Sequence, residues 1–295
     1  MSLASARALR FGLIGTGFWA EIVHAPGIAG HPQAELVGVW GRDQDKAARL
    51  AGKHGADSFS DVDALIAAVD AVAFAVPPDL QAELAVRAGE AGRSLLLEKP
   101  LALTTDAAEK VVRAVRAPTV VFFTRRFDPG TRTWFATEVD GHAWQGASML
   151  YLSSIFEPGN PFGQSEWRRE RGALWDLGPH ALALLVPTLG SVEFVAAARG
   201  RGDEVHLALR HSTGAASSVT LSLTSPVELT EMLLWGSEGV ARLPETLELV
   251  AAYASAIDAL IAGKTTFDAA FGCEVVRVLA AADEQLLRTE QHSLG

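Results

Sequence analysis

The stretch "LLLEKPLAL" ends an apolar run by placing Glu98 and Lys99 side by side before Pro100. A lysine at the mouth of a partly desolvated cleft has its pKa lowered enough to exchange protons with a bound molecule. The proline that follows disfavours helix at Lys99 and keeps it extended. Read alone, the same residues also describe a strand leaving the core for a surface turn. A second stretch, "WDLGPHALALL", sets Asp176 and His180 four apart, a spacing that puts both on one helical face. The carboxylate would then fix the imidazole tautomer and raise its basicity. Pro179 belongs in a first helical turn, which predicts a helix beginning near Gly178 with Asp176 at its entrance. The competing reading is a capping aspartate and a core histidine. Trp167, Arg168 and Arg169, just upstream, either line a polar pocket or pack at an interface.

The third stretch, "FGLIGTGFWAE", supplies Gly15, Thr16, Gly17, Phe18 and Trp19 between a strand pattern and a helix pattern. Gly15 permits a tight turn, and Gly17 lets the backbone approach a pyrophosphate. The small Ala20 allows close helix–strand packing, and the helix N-terminus attracts the anion. This spacing is weak in isolation and gains weight from lying in the first strand–helix–strand unit. At the end of the second strand, Gly41 and Arg42 stand where an acidic residue would accept from an adenosine ribose. Gly41 leaves room, and the planar fork of Arg42 suits a 2′-phosphate, so the pattern leans to NADP over NAD. Otherwise Arg42 is a solvated loop residue, with Asp43 capping the next helix. Pro77 and Pro78 close a later strand, either at the ligand crevice of such a sheet or as a structural stop. Cys273, the only cysteine, lies in a helical pattern and reads as a small buried apolar residue rather than a nucleophile or part of a metal site.

The elements that must position these residues alternate through the first part of the chain. Strands are expected at "LRFGLIG", "AELVGVWG", "DAVAFAVP", "SLLLEKP" and "TVVFFTRRF", with helices between them and a bend at Pro26. Nearly continuous apolar strands with short connections imply a parallel sheet covered on both faces, doubly wound by right-handed crossovers. After Phe127, strand-like runs arrive without intervening helices, from "WQGASMLYLSSIF" to "ELTEMLLWG". That predicts a mostly antiparallel sheet with a helix at about "PHALALLVPTLG" and two more at the end. The domain division expected is 1–125, binding a dinucleotide, and 126–295, an α+β domain for substrate and oligomerisation.

At 295 residues, 49% hydrophobic and 20% charged, the chain has the composition of a globular protein with sizeable cores. A formal net charge of −10 argues against a nucleic-acid partner. No run approaches the roughly 18 apolar residues of a membrane span. The arginines ahead of the first strand do not precede the long apolar centre of a leader segment, so a cytoplasmic location is expected.

Together these stretches resemble the Gfo/Idh/MocA family, the glucose–fructose oxidoreductase and inositol dehydrogenase group. The resemblance runs nearly end to end, through "GTGFWA", "VPPDLQAELAVRAGEAGRSLLLEKPLA", "RRFDP", "GALWDLGPHAL" and "GSEGVARL". It implies an N-terminal Rossmann domain and a C-terminal domain whose open sheet serves oligomerisation, hence a homodimer or homotetramer. It also implies Lys99 at the substrate hydroxyl or carbonyl, His180 as the catalytic histidine, and Asp176 holding substrate. Glu98 would approach the nicotinamide ribose. Gln81 departs from the histidine that many members carry after the proline pair, and Pro179 replaces a more flexible residue. The expected activity is hydride transfer between NADP or NAD and a carbinol carbon of a sugar, polyol or similar small molecule. The rivals are a glycosidase-like enzyme with transient redox and a non-catalytic dinucleotide sensor.

Overall fold

The computed structural model describes residues 7–293, with side chains as far as Arg288. The first six residues of the arginine-bearing start lie outside the described residues. The chain forms two compact units: one runs to Asp128 and takes in Glu248–Cys273, and the other comprises Pro129–Leu247 and the segment from Glu274 onward.

The first unit is built on a parallel sheet. Its strands are β1 (Leu9–Ile14), β2 (Ala34–Trp40), β3 (Asp57–Phe59), β4 (Ala71–Phe74), β5 (Ser94–Glu98) and β6 (Thr119–Phe122), in the order β3-β2-β1-β4-β5-β6. Every residue of β4 and β6 is buried, which is why these strands read as unbroken apolar runs rather than alternating ones. Between them lie α1 (Ala25–Ala29), α2 (Gln44–Lys53), α3 (Val62–Ala68), α4 (Pro78–Glu90) and α5 (Thr105–Ala114). Asp43, Asp61 and Thr104 cap α2, α3 and α5 through side-chain oxygens that accept from backbone N–H groups. The order reverses between β1 and β4, the switch point at which doubly wound sheets bind their ligands. The bend expected at Pro26 is a π-helical turn over Ala20–His24 leading into α1. A proline lacks the N–H that would bond four residues back, and the wider turn absorbs that loss.

The strand expected at "TVVFFTRRF" is shorter than its pattern. It stops at Phe122, and Thr124–Phe127 forms a helical turn, α6. The N–H groups of Arg126 and Phe127 both donate to the Phe123 carbonyl. Phe123 and Phe127 pack edge-on against Phe267, a distant contact that overrides the local strand propensity. Strand β3 has no apolar pattern because its residues are mostly exposed, and sequence reading passes over it.

The second unit opens with α7 (Pro129–Trp134) and a π-helical turn over Phe135–Val139. Strand β7 (Trp144–Leu152) and helix α8 (Glu166–Leu189) follow, then β8 (Val192–Arg199), β9 (Val205–His211), β10 (Ala216–Ser222), β11 (Leu229–Gly236) and β12 (Gly239–Arg242). The sheet order is β12-β11-β7-β10-β9-β8. All pairings are antiparallel except β7 with β10. Strand β9 alternates buried and exposed residues along its whole length, as a sheet with one covered face requires. Helix α8 packs on that covered face. The segment returning to the first unit forms α9 (Leu249–Ala262), and α10 (Ala269–Ser293) closes the described chain. Among the described residues no helix is long and apolar enough to cross a membrane.

Candidate active site

Strand β1 ends by delivering Gly15 to the switch point. Its φ is +132°, and a Cβ there would lie 2.3 Å from the carbonyl oxygen of Ala75, just past β4. Only glycine fits between the two strand ends. The Gly15 N–H donates to the Trp40 carbonyl at 2.8 Å, so the turn is fixed against both neighbouring strands. Gly17 is exposed, and a Cβ added to it would meet nothing within 4 Å. The helical turn begins directly after it, with the Glu21 N–H on the Gly17 carbonyl. An open glycine at a helix start, held by a rigid turn, fits the diphosphate of a dinucleotide.

The flanking candidates divide by what they touch. Phe18 is exposed. Thr16 lies against the end of β2, where a Cβ on Gly41 would come within 2.6 Å of its Cγ2. Gly41 is therefore favoured by Thr16 packing whatever binds nearby. Arg42 is exposed at the end of β2, and Pro77 is exposed at the start of α4. Asp43 is used as the cap of α2, its Oδ1 accepting from Lys46 N–H at 3.0 Å.

Strand β5 carries Glu98 and Lys99 to the same carboxyl edge, and the Lys99–Pro100 peptide is cis. Glu98 is 9% exposed. Its Oε1 accepts from Trp19 Nε1 at 2.7 Å and lies 2.9 Å from His24 Nε2, while Oε2 lies 3.3 Å from the Lys99 N–H. The fully buried Gln81 clamps the backbone around this pair. Its Oε1 accepts from Glu98 N–H at 2.7 Å, and its Nε2 donates to the carbonyls of Glu98, Pro100 and Leu101. The departure noted at Gln81 is thus the residue that holds the lysine-bearing turn. Lys99 itself is half-buried. The first unit therefore brings Trp19, Glu98 and Lys99 into one network, with His24 and Gln81 added by the fold. A lone histidine in a helix and a glutamine in a helix give no sequence signal for that role.

In the second unit Asp176 and His180 both lie on α8 and are buried. The helix does not begin near Gly178 as Pro179 suggested. Gly172 has φ 64° and ψ −162°, a break that starts the continuous helix at Ala173, with Pro179 and Pro187 inside it. Residues 173–186 are all buried. That burial outweighs the roughly 3 kcal/mol an interior proline costs. Arg168 Nε donates to Asp176 Oδ2 at 3.0 Å, and the guanidinium lies over the Trp167 and Phe162 rings at 4.6 and 5.4 Å. Arg169 donates from Nε to the Gly163 carbonyl at 2.9 Å. The two arginines thereby pin adjacent residues, Phe162 and Gly163, of the loop between β7 and α8. Tyr151, on β7, faces His180 with ring centroids 5.9 Å apart. Arg168, expected to line a pocket or pack at an interface, meets Asp176, and Tyr151 is the residue here that the sequence did not bring forward. Cys273 is buried, and among the described residues no group of three His, Cys, Asp or Glu could hold a metal ion.

Known proteins are similar to this chain in the sequence of its first unit and in its fold. Residues 9–125 match the GFO_IDH_MocA model, described as an oxidoreductase family with the NAD-binding Rossmann fold. Inositol 2-dehydrogenase of Rhizobium meliloti (strain 1021) is 38% identical over 126 residues, which span 41% of this chain and only 38% of that enzyme. The fold extends further. The solved myo-inositol dehydrogenase of Corynebacterium glutamicum ATCC 13032 superposes with a TM-score of 0.81 at 20% identity, covering 96% of this chain and 97% of that one. The WlbA dehydrogenase of Bordetella pertussis, solved with NADH and UDP-GlcNAcA, gives 0.79 at 21% identity over 95% of this chain and 96% of its own. Residues 9–125, which contain both the glycine turn and the Glu98-Lys99-Pro100 turn, are thus similar to the Gfo/Idh/MocA oxidoreductase family, and the chain spans less than half the length of the inositol 2-dehydrogenase it matches.

Proposed function

We propose that the protein is a nicotinamide-dependent dehydrogenase or reductase acting on a hydroxyl or carbonyl carbon of a sugar-like or polyol substrate, with NADP as its dinucleotide. The observation that carries this reading is Lys99, set on a clamped turn at the carboxyl edge that also holds the open glycine turn. The nicotinamide supplies a hydride acceptor or donor when bound. Gly15 and Gly17 seat its diphosphate, and Arg42 takes the 2′-phosphate. The support for NADP is that Arg42 is exposed at the end of β2 while the neighbouring carboxylate of Asp43 is committed to capping α2.

Lys99 hydrogen-bonds the substrate oxygen and stabilises the negative charge that develops on it. His180 accepts the hydroxyl proton in oxidation and returns it in reduction. Asp176 orients His180 and binds a neighbouring hydroxyl, while Arg168 holds the Asp176 carboxylate through Nε. A cytoplasmic location belongs to this reading, as does a homodimer or homotetramer formed through the open face of the second sheet.

Thermal-shift titration with NADP and NAD, alone and with a panel of sugars and polyols, tests it. Stabilisation follows RT ln(1 + [L]/Kd), and NADP is expected to raise the melting temperature more than NAD at equal concentration. Arg42→Ala removes the difference. Lys99→Ala retains the dinucleotide shift and lowers turnover by about 10²–10⁴-fold. Wild-type turnover in Lys99→Ala excludes the lysine from the chemistry.

A further inference from the structure

We propose that His24 and Tyr253 are positioning residues for Lys99, acting through the buried carboxylate of Glu98. The proposal rests on the dehydrogenase reading, in which Lys99 is the group at the substrate oxygen.

The polar groups form a single chain inside the first unit. Tyr253, fully buried on α9, places its hydroxyl 2.8 Å from His24 Nδ1. His24, also fully buried, places Nε2 2.9 Å from Glu98 Oε1. Trp19 donates to the same oxygen from the glycine turn. Burial and the nearby Glu98 charge push the Tyr253 phenol well above its ordinary value, so it stays protonated and donates its O–H to Nδ1. That assigns the ring proton to Nε2, which donates to Glu98 Oε1. Each group then has one role in one direction, and the carboxylate takes two donors on one oxygen. The neighbouring Oε2 faces the Lys99 N–H.

Gln81 holds the main chain on both sides of Lys99, and Glu98 Oε2 meets the Lys99 N–H itself. What Tyr253 and His24 control is the orientation of the Glu98 carboxylate beside Lys99. Without the His24 donor, Oε1 loses one of the two groups that fix it and the carboxylate can rotate away from the lysine. A lysine whose neighbouring carboxylate withdraws is held less firmly in its charged form. The residue at the far end of this chain comes from Glu248–Cys273, the segment that returns to the first unit.

The test compares wild type with His24→Leu, His24→Gln, Tyr253→Phe and Lys99→Ala, each with its melting temperature. The first readout needs no cofactor: the rate at which a mild acylating reagent modifies Lys99 at fixed pH, followed by peptide mass spectrometry. His24→Leu is expected to accelerate labelling by about threefold or more, a change on the order of half a pKa unit. Tyr253→Phe should do so to a smaller extent. His24→Gln, whose amide can still donate to Glu98, returns to within about twofold of wild type. The second readout is kinetic: kcat falls about tenfold in His24→Leu while the dissociation constant for dinucleotide stays near wild type. Wild-type labelling in both His24→Leu and Tyr253→Phe overturns the proposal whatever happens to activity. So does a His24→Gln variant as impaired as His24→Leu with a matching loss of melting temperature, which marks a purely structural role. Wild-type turnover in Lys99→Ala instead excludes the lysine from the chemistry, the part of the dehydrogenase reading on which the proposal rests, and leaves the labelling result to judge the relay separately.

Discussion

Single atoms decide whether the dinucleotide turn can exist. At Gly15, any side chain would need a left-handed backbone and would drive its Cβ into the Ala75 carbonyl. Gly15→Ala is therefore expected to cost at least about 1–3 kcal/mol for the backbone conformation alone, with the steric conflict added to it. Its thermal stability should fall and its thermal shift with NADP should vanish. A Gly17→Ala control, with open space around it, should fold normally and lose only dinucleotide affinity. Gly15 and Gly17 look alike in the sequence, and their surroundings give them separate jobs. One is required by the protein itself and the other by what approaches it. Melting curves of the two variants with and without NADP separate those jobs directly.

At the scale of elements, the position of His180 depends on where α8 starts. The break at Gly172, with φ 64° and ψ −162°, lies in a region open essentially to glycine alone. Gly172→Ala forces the chain into another conformation one residue before the helix that carries Asp176 and His180. The expected result is a turnover loss of about tenfold or more, with a stability cost on the order of 1–3 kcal/mol. Equal turnover with a lowered melting temperature would show that the helix start does not set the site. The second sheet offers a separate check through His211 at the end of β9. Its Nδ1 lies 2.8 Å from the Gly190 carbonyl and its Nε2 2.9 Å from Ser217 Oγ. Burial holds the imidazole below its ordinary value of 6.5, although the Gly190 carbonyl pulls the other way. The unfolded chain takes up a proton near that pH while the folded one resists. Stability from this residue is full above pH 6.5 and is lost as pH falls through the folded value. His211→Gln should flatten the stability profile below pH 6.5 relative to wild type, as measured by urea unfolding at a series of pH values.

For the whole molecule, the open face of the second sheet sets the expectation. Phe194, Trp235 and Val240 are 54%, 38% and 66% exposed. Trp235 pairs with Val240 across β11 and β12, and small residues such as Ala196, Ala208 and Ser218 continue the same face across β8, β9 and β10. Arg210, Glu231 and Arg242 lie among them, which makes a mixed surface of the composition interfaces commonly have, and a second copy of the chain is the occupant proposed for it. Trp235→Asp with Val240→Asp should lower the mass seen by light scattering to that of a monomer and leave the dinucleotide thermal shift in place. An unchanged mass would assign oligomerisation to another surface, or to none.

The sequence alone determined what is periodic and local. Parallel strands buried on both faces announce themselves as unbroken apolar runs, glycines mark the turn after β1, and alternation along β9 marks a half-covered sheet. It also brought Lys99, Asp176 and His180 forward, although each had a structural reading of its own, and it was the family resemblance that gave them roles. What it did not contain were the pairings made between distant positions. Phe267 turns the end of a strand into a helical turn at Thr124–Phe127. Burial carries a helix through Pro179. Gln81 and Tyr253, residues 17 positions before Glu98 and 229 after His24 in the chain, reach the lysine turn and its supporting histidine. Periodicity encodes which face of an element is apolar. A buried hydrogen bond depends on two side chains meeting once the backbone has closed, and only the tertiary structure decides that.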